Sequence, residues 1–394
     1  MNDHEAPHNL EVFRLATLGE LAAIRAPWNE LHDGVPFRSW EWLDCWWRYY
    51  GGKSGRSREL FTLAVFEADG AMVGLAPWYV ERTHSQARVV RFLGSGEICS
   101  DYLGVLCKNG CEAAVARALA EWLTRPPNLS DWLTAQEDRP WDLIELGAVS
   151  PHDAVIELLL EQLAQSDFLV HRRPGPTCWR IQLPATWDEY LGMLSKSHRK
   201  QVRRCERRYF DTRRVRLRRA TSTVELEYGL AILTELHGLR RTARGERGAF
   251  ASSRFAAFHH DVLLRLLGTG QLNLTWLELD GRPVAAEYQI CGQNQVVYAY
   301  QSGMHPAALQ DEPGRLITIA TLQEAIAAGR PAYDFLRGNE AYKAHWRASP
   351  HATQDVRLIP NTGAARWRHN LWMAGDSVKN WIRTGLKLSG IAAE

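Results

Sequence analysis

The stretch that decides the fold is Pro331-Ala-Tyr-Asp-Phe-Leu-Arg-Gly-Asn-Glu-Ala-Tyr-Lys-Ala-His-Trp346. The apolar run 332–336 predicts a short strand that ends at Gly338. Asn339 is a favourable helix N-cap, and Glu340 places negative charge in the first turn. The pattern therefore predicts a strand, a glycine corner and a capped helix that runs to the end of the stretch.

This corner is expected to aim polar side chains and unpaired backbone amides out of one end of a sheet. Tyr342 and Trp346 are spaced i, i+4 and share one face of the predicted helix. From the residues alone, a plain strand-to-helix corner with a buried Trp explains the pattern equally well. The residues leave both interpretations open.

The same run resembles the C-terminal signature of the CelD-like branch of the GNAT acetyltransferase superfamily, which is related to the FemAB aminoacyl transferases. The family pattern has an apolar strand, Gly, an acidic residue, Tyr-Lys and then Trp or Phe. Those positions are held here by Gly338, Glu340, Tyr342, Lys343 and Trp346. The resemblance extends loosely over residues 35–360 and implies two GNAT-type domains packed together, with the chemistry in the second.

A repeated pattern in the chain agrees with two domains. Strand-like runs flank an Asp-Gly turn in 61–77 and again in 272–286, and each pair is followed by a helix and an Asp-bearing strand. We predict an α/β fold with mixed sheets, built from two tandem GNAT-like units. The predicted units are 10–180 and 181–360, followed by an amphipathic helical tail at 361–394.

Composition indicates a globular chain. Its 394 residues are 45% hydrophobic, which supplies a full core, and no apolar run approaches the 18 residues of a membrane span. The polar start of the chain does not resemble a signal peptide, and the seven cysteines form no Cys-x-x-Cys pair, so we expect a cytoplasmic protein. Cys107 and Cys111 have no nearby His or further Cys, so we expect no metal site.

Charge is concentrated in one segment. Residues 196–219 hold twelve Lys or Arg against two acids, a local charge of +10 in a chain whose net charge is +2. Three interpretations stay open: a solvated helix face, a site for an anion such as the CoA phosphates, and a contact for tRNA. The second interpretation makes Arg199 and Arg203 candidate cofactor-binding residues. Family members resemble the chain here through a Ser-x-x-x-Arg-x-x-x-Arg-Arg stretch.

The resemblance also implies where an acyl-CoA donor binds. In the GNAT fold, one strand polarises the thioester carbonyl through a backbone N–H, and the start of the next helix cradles the pyrophosphate. That strand maps to 295–302, which includes Tyr298, and that helix starts near Gly314 and Arg315. The chain departs from the family's glycine-rich loop, because Asp311 and the following Glu stand where a pyrophosphate is expected.

Acyl transfer to an amine needs a base, and Glu287 is the best candidate because it lies in an otherwise apolar strand. Pairing with a buried Arg, or exposure to solvent, is the alternative for this carboxylate. Tyr300 and Tyr342 are candidate acids for the leaving thiol, and Asp334 is a candidate to orient them. Two cations of the signature fit charge clamps better than bases, namely Arg337 and Lys343.

Two further features carry weaker signals. His259, His260 and Asp261 are consecutive in a predicted helix and point in different directions, which favours packing or surface roles. Residues 363–388 form a basic amphipathic segment that fits a membrane surface, its own protein or a partner chain such as a synthase subunit.

The predicted function is an N-acyltransferase that uses acetyl-CoA or another acyl-CoA and no metal. By resemblance, the amine acceptor is a small molecule or glycan in cellulose, exopolysaccharide or cell-envelope biosynthesis. A FemAB-type transferase that uses aminoacyl-tRNA is one alternative, and a non-catalytic scaffold subunit is the other. The absence of a Gly-x-Ser-x-Gly elbow and of a Walker loop gives no support to a hydrolase or a nucleotidase.

Overall fold

The computed structural model describes residues 10–52, 57–83, 86–125, 141–243, 245–363, 365–367 and 369–370. The first half of the chain supplies α1 Leu18–Ala23, α2 Arg25–Leu31, α3 Trp40–Tyr50, α4 Glu112–Thr124 and α5 Ala154–Gln165. Its strands are β1 Glu11–Leu15, β2 Arg58–Leu60, β3 Thr62–Phe66, β4 Met72–Ala76, β5 Trp78–Arg82, β6 Arg88–Phe92, β7 Leu106–Cys107, β8 Leu143–Val149 and β9 Phe168–Pro174.

The second half follows the same plan. Its helices are α6 Trp187–Met193, α7 Lys196–Cys205, α8 Thr223–Thr242, α9 Ser253–Gly268, α10 Pro313–Ala327 and α11 Tyr342–His345. Its strands are β10 Cys178–Gln182, β11 Val215–Arg219, β12 Leu272–Leu279, β13 Arg282–Cys291, β14 Val297–Met304, β15 Ala332–Arg337, β16 Ser349–His351 and β17 Gln354–Pro360.

The predicted duplication is confirmed by the strand topology. The first half runs from the hairpin β3–β4 through β6 and α4 to β8, which lies parallel to β6. The second half runs from the hairpin β12–β13 through β14 and α10 to β15, which lies parallel to β14. The second hairpin closes with Asp280 and Gly281 both at positive φ, the two-residue turn that an Asp-Gly pair favours.

One strand of the second half, β17, lies in a sheet of the first half. The first half forms sheets of order β1-β3-β4-β7 and β2-β5-β6-β8-β17-β9, and the second forms β11-β12-β13-β14-β15-β10-β16. Strand β17 thus completes the sheet of the first half, and β10 lies between β15 and β16. The predicted boundary at 180/181 falls inside β10, and the division into units stays a prediction.

One large core extends across both halves. Trp42 of α3 packs edge-on against Phe258 of α9, with ring centroids 5.1 Å apart, and against Tyr300 of β14 at 5.5 Å. The same cluster surrounds His259, which is fully buried, and burial lowers the pKa of its imidazole to about 3. His259 is therefore a neutral packing residue, as the sequence favoured, while His260 points outward and pairs with Glu227.

The signature corner differs from the prediction. Gly338 adopts φ 123°, and residues 338–340 continue without helical structure, so the helix after it is the single turn Tyr342–His345. Asn339 is therefore not its N-cap; Ala341 holds that position without a side-chain cap bond. The chain is held there by Lys343, which draws the preceding carbonyls toward its ammonium group.

Strands β14 and β15 pair only at Val297↔Tyr333 and Tyr298↔Asp334. Beyond that point the two strands continue without pairing, which opens a gap at their C-terminal ends.

Among the described residues, no helix is both long and apolar enough to cross a membrane. The predicted amphipathic segment 363–388 lies, apart from its first few residues, outside the described residues.

Candidate active site

Two cavities, each of about 350 Å³, meet in the gap between β14 and β15. The apolar cavity lies toward the start of α10 and is lined by Met304, Leu309, Ile317, Trp346 and neighbouring residues. The polar cavity lies toward the first half of the chain and carries most of the charged groups of the site, which are Glu97, Asp101, Arg240, Arg241, Arg337, Glu340 and Lys343. Five residues line both cavities: Arg240, Glu287, Ser302, Phe335 and Tyr342.

Glu287 lies where the two cavities meet, and its residue is only 6% exposed. One carboxylate oxygen accepts a hydrogen bond from the Tyr333 hydroxyl at 2.8 Å, and the other accepts from the Thr321 hydroxyl at 3.3 Å. Burial raises the pKa of this carboxyl group, and the hydrogen bonds from Tyr333, Gln289 and Thr321 oppose that rise. No Arg or Lys pairs with it among the described residues, so the predicted elevated pKa is supported.

A buried hydrogen-bond chain orients this carboxylate. The Asn273 amide donates to Gln289 at 2.5 Å, and the Gln289 amide donates to the Tyr333 hydroxyl at 2.8 Å, which in turn donates to Glu287. Asn273 and Gln289 lie opposite each other on the neighbouring strands β12 and β13, and Tyr333 reaches them from β15, beyond β14. The sequence analysis missed Tyr333, although it adjoins the predicted Asp334.

Tyr342 is the second predicted residue that the structure brings to the junction. It is 43% exposed and lines both cavities, and its ring packs edge-on against Phe335 at 5.8 Å. Burial of the hydroxyl and the nearby carboxylates of Glu340 and Glu287 raise its pKa. The phenol therefore stays protonated at neutral pH, which suits a proton donor to a leaving thiolate.

Tyr298 and Tyr300 lie on the same strand, β14, in different surroundings. The Tyr300 hydroxyl donates to the Ile98 carbonyl, and its ring lies in the aromatic cluster around His259 at 5.0 Å. Tyr298 is fully buried, and its hydroxyl accepts a hydrogen bond from Asn294 at 2.9 Å. Tyr298 lines neither cavity and is committed to packing. Tyr300 also lines the polar cavity, so its assignment as an acid stays a prediction.

Lys343 is a structural clamp on the backbone. Its ammonium group donates to the carbonyls of Leu336, Arg337 and Gly338 at 3.2, 2.8 and 3.2 Å and pairs with Glu340 at 3.0 Å. The residue is only 2% exposed. A clamp was predicted, but it holds the corner of the chain instead of a substrate.

The corner also contacts a loop from the first half of the chain, 93–105, which is inserted between β6 and β7. Arg337 pairs with Asp101 at 2.6 Å, and Asp334 accepts from the Tyr102 hydroxyl at 2.6 Å. Asp334 also pairs with Arg180 at 2.8 Å. The proposed role of Asp334 in orienting Tyr300 and Tyr342 is thus corrected, because this carboxylate joins the two halves of the chain.

The start of α10 carries the predicted Gly314 and Arg315, and both line the apolar cavity. A Cβ on Gly314 would approach the Met304 methyl to 2.8 Å, so a larger residue would have to displace the flexible end of that side chain. Arg315 pairs with Glu312, which stands at φ 56° immediately before the helix. The carboxylates expected to repel a pyrophosphate are thus already paired with cations.

Helix α7 and the π-helical turn 206–210 that follows it supply some of those cations, although not the predicted ones. Arg204 pairs with Glu312, and Arg208 lies 3.8 Å from Asp311. Arg203 instead pairs with Asp188 at 2.6 Å, away from the cavities, and Arg199 is exposed. Neither predicted arginine lines a cavity, whereas His198 of the same helix lines the apolar one.

Sequence reasoning also missed Arg240, near the C-terminal end of α8. Its guanidinium lies 3.4 Å from the Ser302 hydroxyl, and the residue lines both cavities beside Glu287. The only sequence signal was a pair of arginines at the end of a long helix, a common arrangement that favours the helix dipole.

The family described as "Acetyltransferase (GNAT) domain" matches residues 196–344, less than half of the chain. A crystal structure of FemX is similar with a TM-score of 0.59 and 12% identity, covering 88% of this chain and 96% of that one. The fold is GNAT-like, in tandem. A conserved protein of unknown function from Bacteroides thetaiotaomicron is similar with a TM-score of 0.51 and 11% identity, over 87% of this chain and 97% of that one. No curated protein sequence matches the chain.

Proposed function

We propose that the protein is an N-acyltransferase that moves an acyl group from a thioester to an amine at the junction of the two cavities. The observation that carries the proposal is Glu287, a buried carboxylate of raised pKa that faces both cavities at once. A base between a donor cavity and an acceptor cavity is the arrangement that direct transfer needs. The GNAT-like fold supports the same chemistry.

The thioester arm fits the apolar cavity. Leu309, Ile317, Phe335 and Trp346 line it with apolar surface, and the missing Cβ of Gly314 keeps its wall close to Met304. Beyond Tyr298, the edge of β14 that faces the gap has no strand partner, so its backbone is accessible to the thioester carbonyl. A pantetheine arm with its acyl group is therefore the donor portion that these residues accommodate.

The amine acceptor is assigned to the polar cavity. Its nitrogen attacks the thioester carbonyl carbon, a C–N bond forms and the C–S bond breaks. Glu287 accepts the proton that the amine loses, and the Tyr342 hydroxyl supplies a proton to the leaving thiolate. A low-dielectric site strengthens both effects, because the reacting charges are poorly screened.

The resemblance to the CelD-like branch supports a finer proposal, in which the acceptor is an amino group on a small molecule or glycan for exopolysaccharide, cellulose or cell-envelope synthesis. Cytoplasmic location and a synthase-complex contact through 363–388 belong to the same proposal. The likeness to FemX concerns the fold alone, so an aminoacyl-tRNA donor stands as an outcome of the tests below.

Glu287→Gln tests the proposal directly. We expect kcat to fall by roughly 10²–10⁴, the range typical of a lost general base, with donor affinity nearly unchanged. Thiol release from acetyl-CoA and acetyl-pantetheine is measured across a panel of amines and amino sugars, and donor affinity is measured by calorimetry.

Tyr288→Phe is the matched control, because this buried side chain of the same strand as Glu287 lines neither cavity. We expect its kcat to stay within about threefold of the parent, since it takes no part in proton transfer. An effect of Glu287→Gln below about tenfold would remove this residue from the mechanism. Transfer from aminoacyl-tRNA, with none from a thioester, would establish the alternative donor.

A further inference from the structure

Helix α7 divides its positive charge between two faces. On the face toward α10, Arg204 and the following Arg208 lie against Glu312 and Asp311. The opposite, outward face carries cations that have no acidic partner among the described residues, and these are Lys196, Arg199, Lys200 and Arg207. We call these four residues the basic stripe. Lys196, Arg199 and Lys200 align along one side of α7, opposite the buried Val202 and Cys205, and Arg207 follows in the π-helical turn 206–210.

The basic stripe lies beside the mouth of the apolar cavity. His198, on the same helix, lines that cavity and contacts the ring of Trp346 at 4.7 Å between centroids. Leu309, which also lines it, is 59% exposed, so the cavity reaches the surface near the start of α10. Any large group attached to a thioester in the cavity would emerge next to α7.

The start of α10 offers few binding groups for acyl-CoA, the form of such a thioester that is not attached to a protein. Coenzyme A carries a diphosphate and a 3′-phosphate, which normally require several unpaired backbone amides in a glycine-rich loop. Here a 3-10 helix, Pro306–Asp311, and the carboxylate of Glu312 occupy that place, Pro313 has no amide hydrogen, and nearby arginines already pair with acids. The pantetheine end of the site is therefore well formed, while the diphosphate end is not.

We infer that the acyl donor is delivered by an acidic carrier protein, whose phosphopantetheine arm enters the apolar cavity while its acidic surface docks on the basic stripe. The inference rests on the proposed function and names the donor of that site. A carrier-bound arm has the same thioester as acyl-CoA but only one phosphodiester, so it needs no diphosphate cradle. The transfer step itself is unchanged.

A nucleic acid fits the same surface less well. The stripe is one short helix, whereas nucleic-acid contacts spread over many phosphates and a wide basic face. Outside 196–219 the chain has a net charge of −8, since the whole chain carries +2 and the segment +10. The apolar lining of the cavity also offers few hydrogen-bonding groups for a ribose and base, which favours a thioester arm.

The test compares the binding of acetyl-pantetheine, acetyl-CoA, a tRNA and an acidic acyl carrier protein loaded with acetyl-phosphopantetheine, by calorimetry with the full chain. We expect the loaded carrier to bind at least tenfold more tightly than acetyl-CoA, with affinity that falls as salt rises. Arg199→Glu/Lys200→Glu should weaken carrier binding at least tenfold and leave acetyl-pantetheine within twofold. Arg82→Glu/Arg117→Glu, at exposed positions in the first half of the chain, is the matched control and should leave both ligands within twofold.

The possible outcomes distinguish a failure of the carrier inference alone from a failure of the proposed function. If acetyl-CoA binds as tightly as the carrier, or the stripe reversal leaves the carrier unaffected, the inference is wrong and the acyltransferase proposal stands. If no thioester binds at all, the proposed function fails, and the carrier inference fails with it. Tight binding of tRNA alone would overturn both in favour of a nucleic-acid-linked donor.

Discussion

The two carboxylate oxygens of Glu287 accept hydrogen bonds from different side chains. The Tyr333 hydroxyl donates to one oxygen, and the Thr321 hydroxyl donates to the other. Both bonds donate to the carboxylate, so they favour its charged form and oppose the effect of burial. The net direction is nevertheless a raised pKa. The residue is thus a stronger base than an exposed glutamate while it stays fixed in orientation.

The raised pKa also has a consequence for stability. A carboxyl whose folded pKa exceeds its unfolded value binds more protons in the folded state, so the free energy of unfolding falls as pH rises between the two pKa values. Glu287→Gln removes this titration. We expect the variant to be at least as stable as the parent at pH 7 and to lose the advantage below about pH 4, where both states are protonated. Thermal unfolding across pH measures the difference in stability between the variant and the parent. The assignment would be contradicted if this difference favoured the variant less at pH 7 than at pH 4.

At the scale of elements, the corner after β15 depends on one buried ammonium group. Leu336 stands at φ 56° and Gly338 at φ 123°, conformations that expose three successive carbonyls to Lys343. Because these acceptors lie near the active site, the lysine positions Tyr342 through the backbone that follows.

Lys343→Met should therefore act mainly on the fold. It leaves the three carbonyls without their donor, which we expect to cost about 1–3 kcal/mol in the free energy of unfolding. Chemical denaturation measures the loss, and Lys343→Arg serves as the variant that keeps the charge. A large loss of kcat in Lys343→Met without any loss of stability would instead show that the lysine acts on the substrate.

The sequence predicted several elements well and missed others for physical reasons. Both Asp-Gly hairpins follow turn chemistry and the apolar pattern of the flanking strands, which a single sequence reveals. Asn339 failed as a cap because Lys343 organises the corner through long side-chain contacts. Glu287 was found because an acid in an apolar strand is conspicuous, whereas Arg240 and Tyr333 reach the site only through tertiary packing.

At the scale of the molecule, the two halves are joined by more than a surface contact. Strand β17 of the second half lies in the sheet formed by the first half, and the loop 93–105 bonds to β15 through Asp101 and Tyr102. Neither the placement of β17 nor the contact of the loop could be read from local patterns, because pairing between distant segments leaves no periodic signal. The duplication itself was visible, since each copy repeats its own hairpin.

The placement of β17 predicts a single cooperative unfolding transition. Without the second half, β17 would be missing between β8 and β9 of the first half's sheet, so the first half is not expected to stay folded alone. Differential scanning calorimetry should give one endotherm whose calorimetric and van't Hoff enthalpies agree. Two separate endotherms, or a stable fragment that ends at residue 176, would show that the halves fold independently.

The central claim is that a thioester donor lies in the apolar cavity with its carbonyl facing Glu287. A crystal structure with a non-transferable thioether analogue of acetyl-pantetheine tests it most directly. We predict that the arm lies between β14 and the start of α10, with the carbonyl carbon at the junction lined by Glu287 and Tyr342. An arm bound in the polar cavity, or a carbonyl separated from Glu287 by protein, would contradict the account.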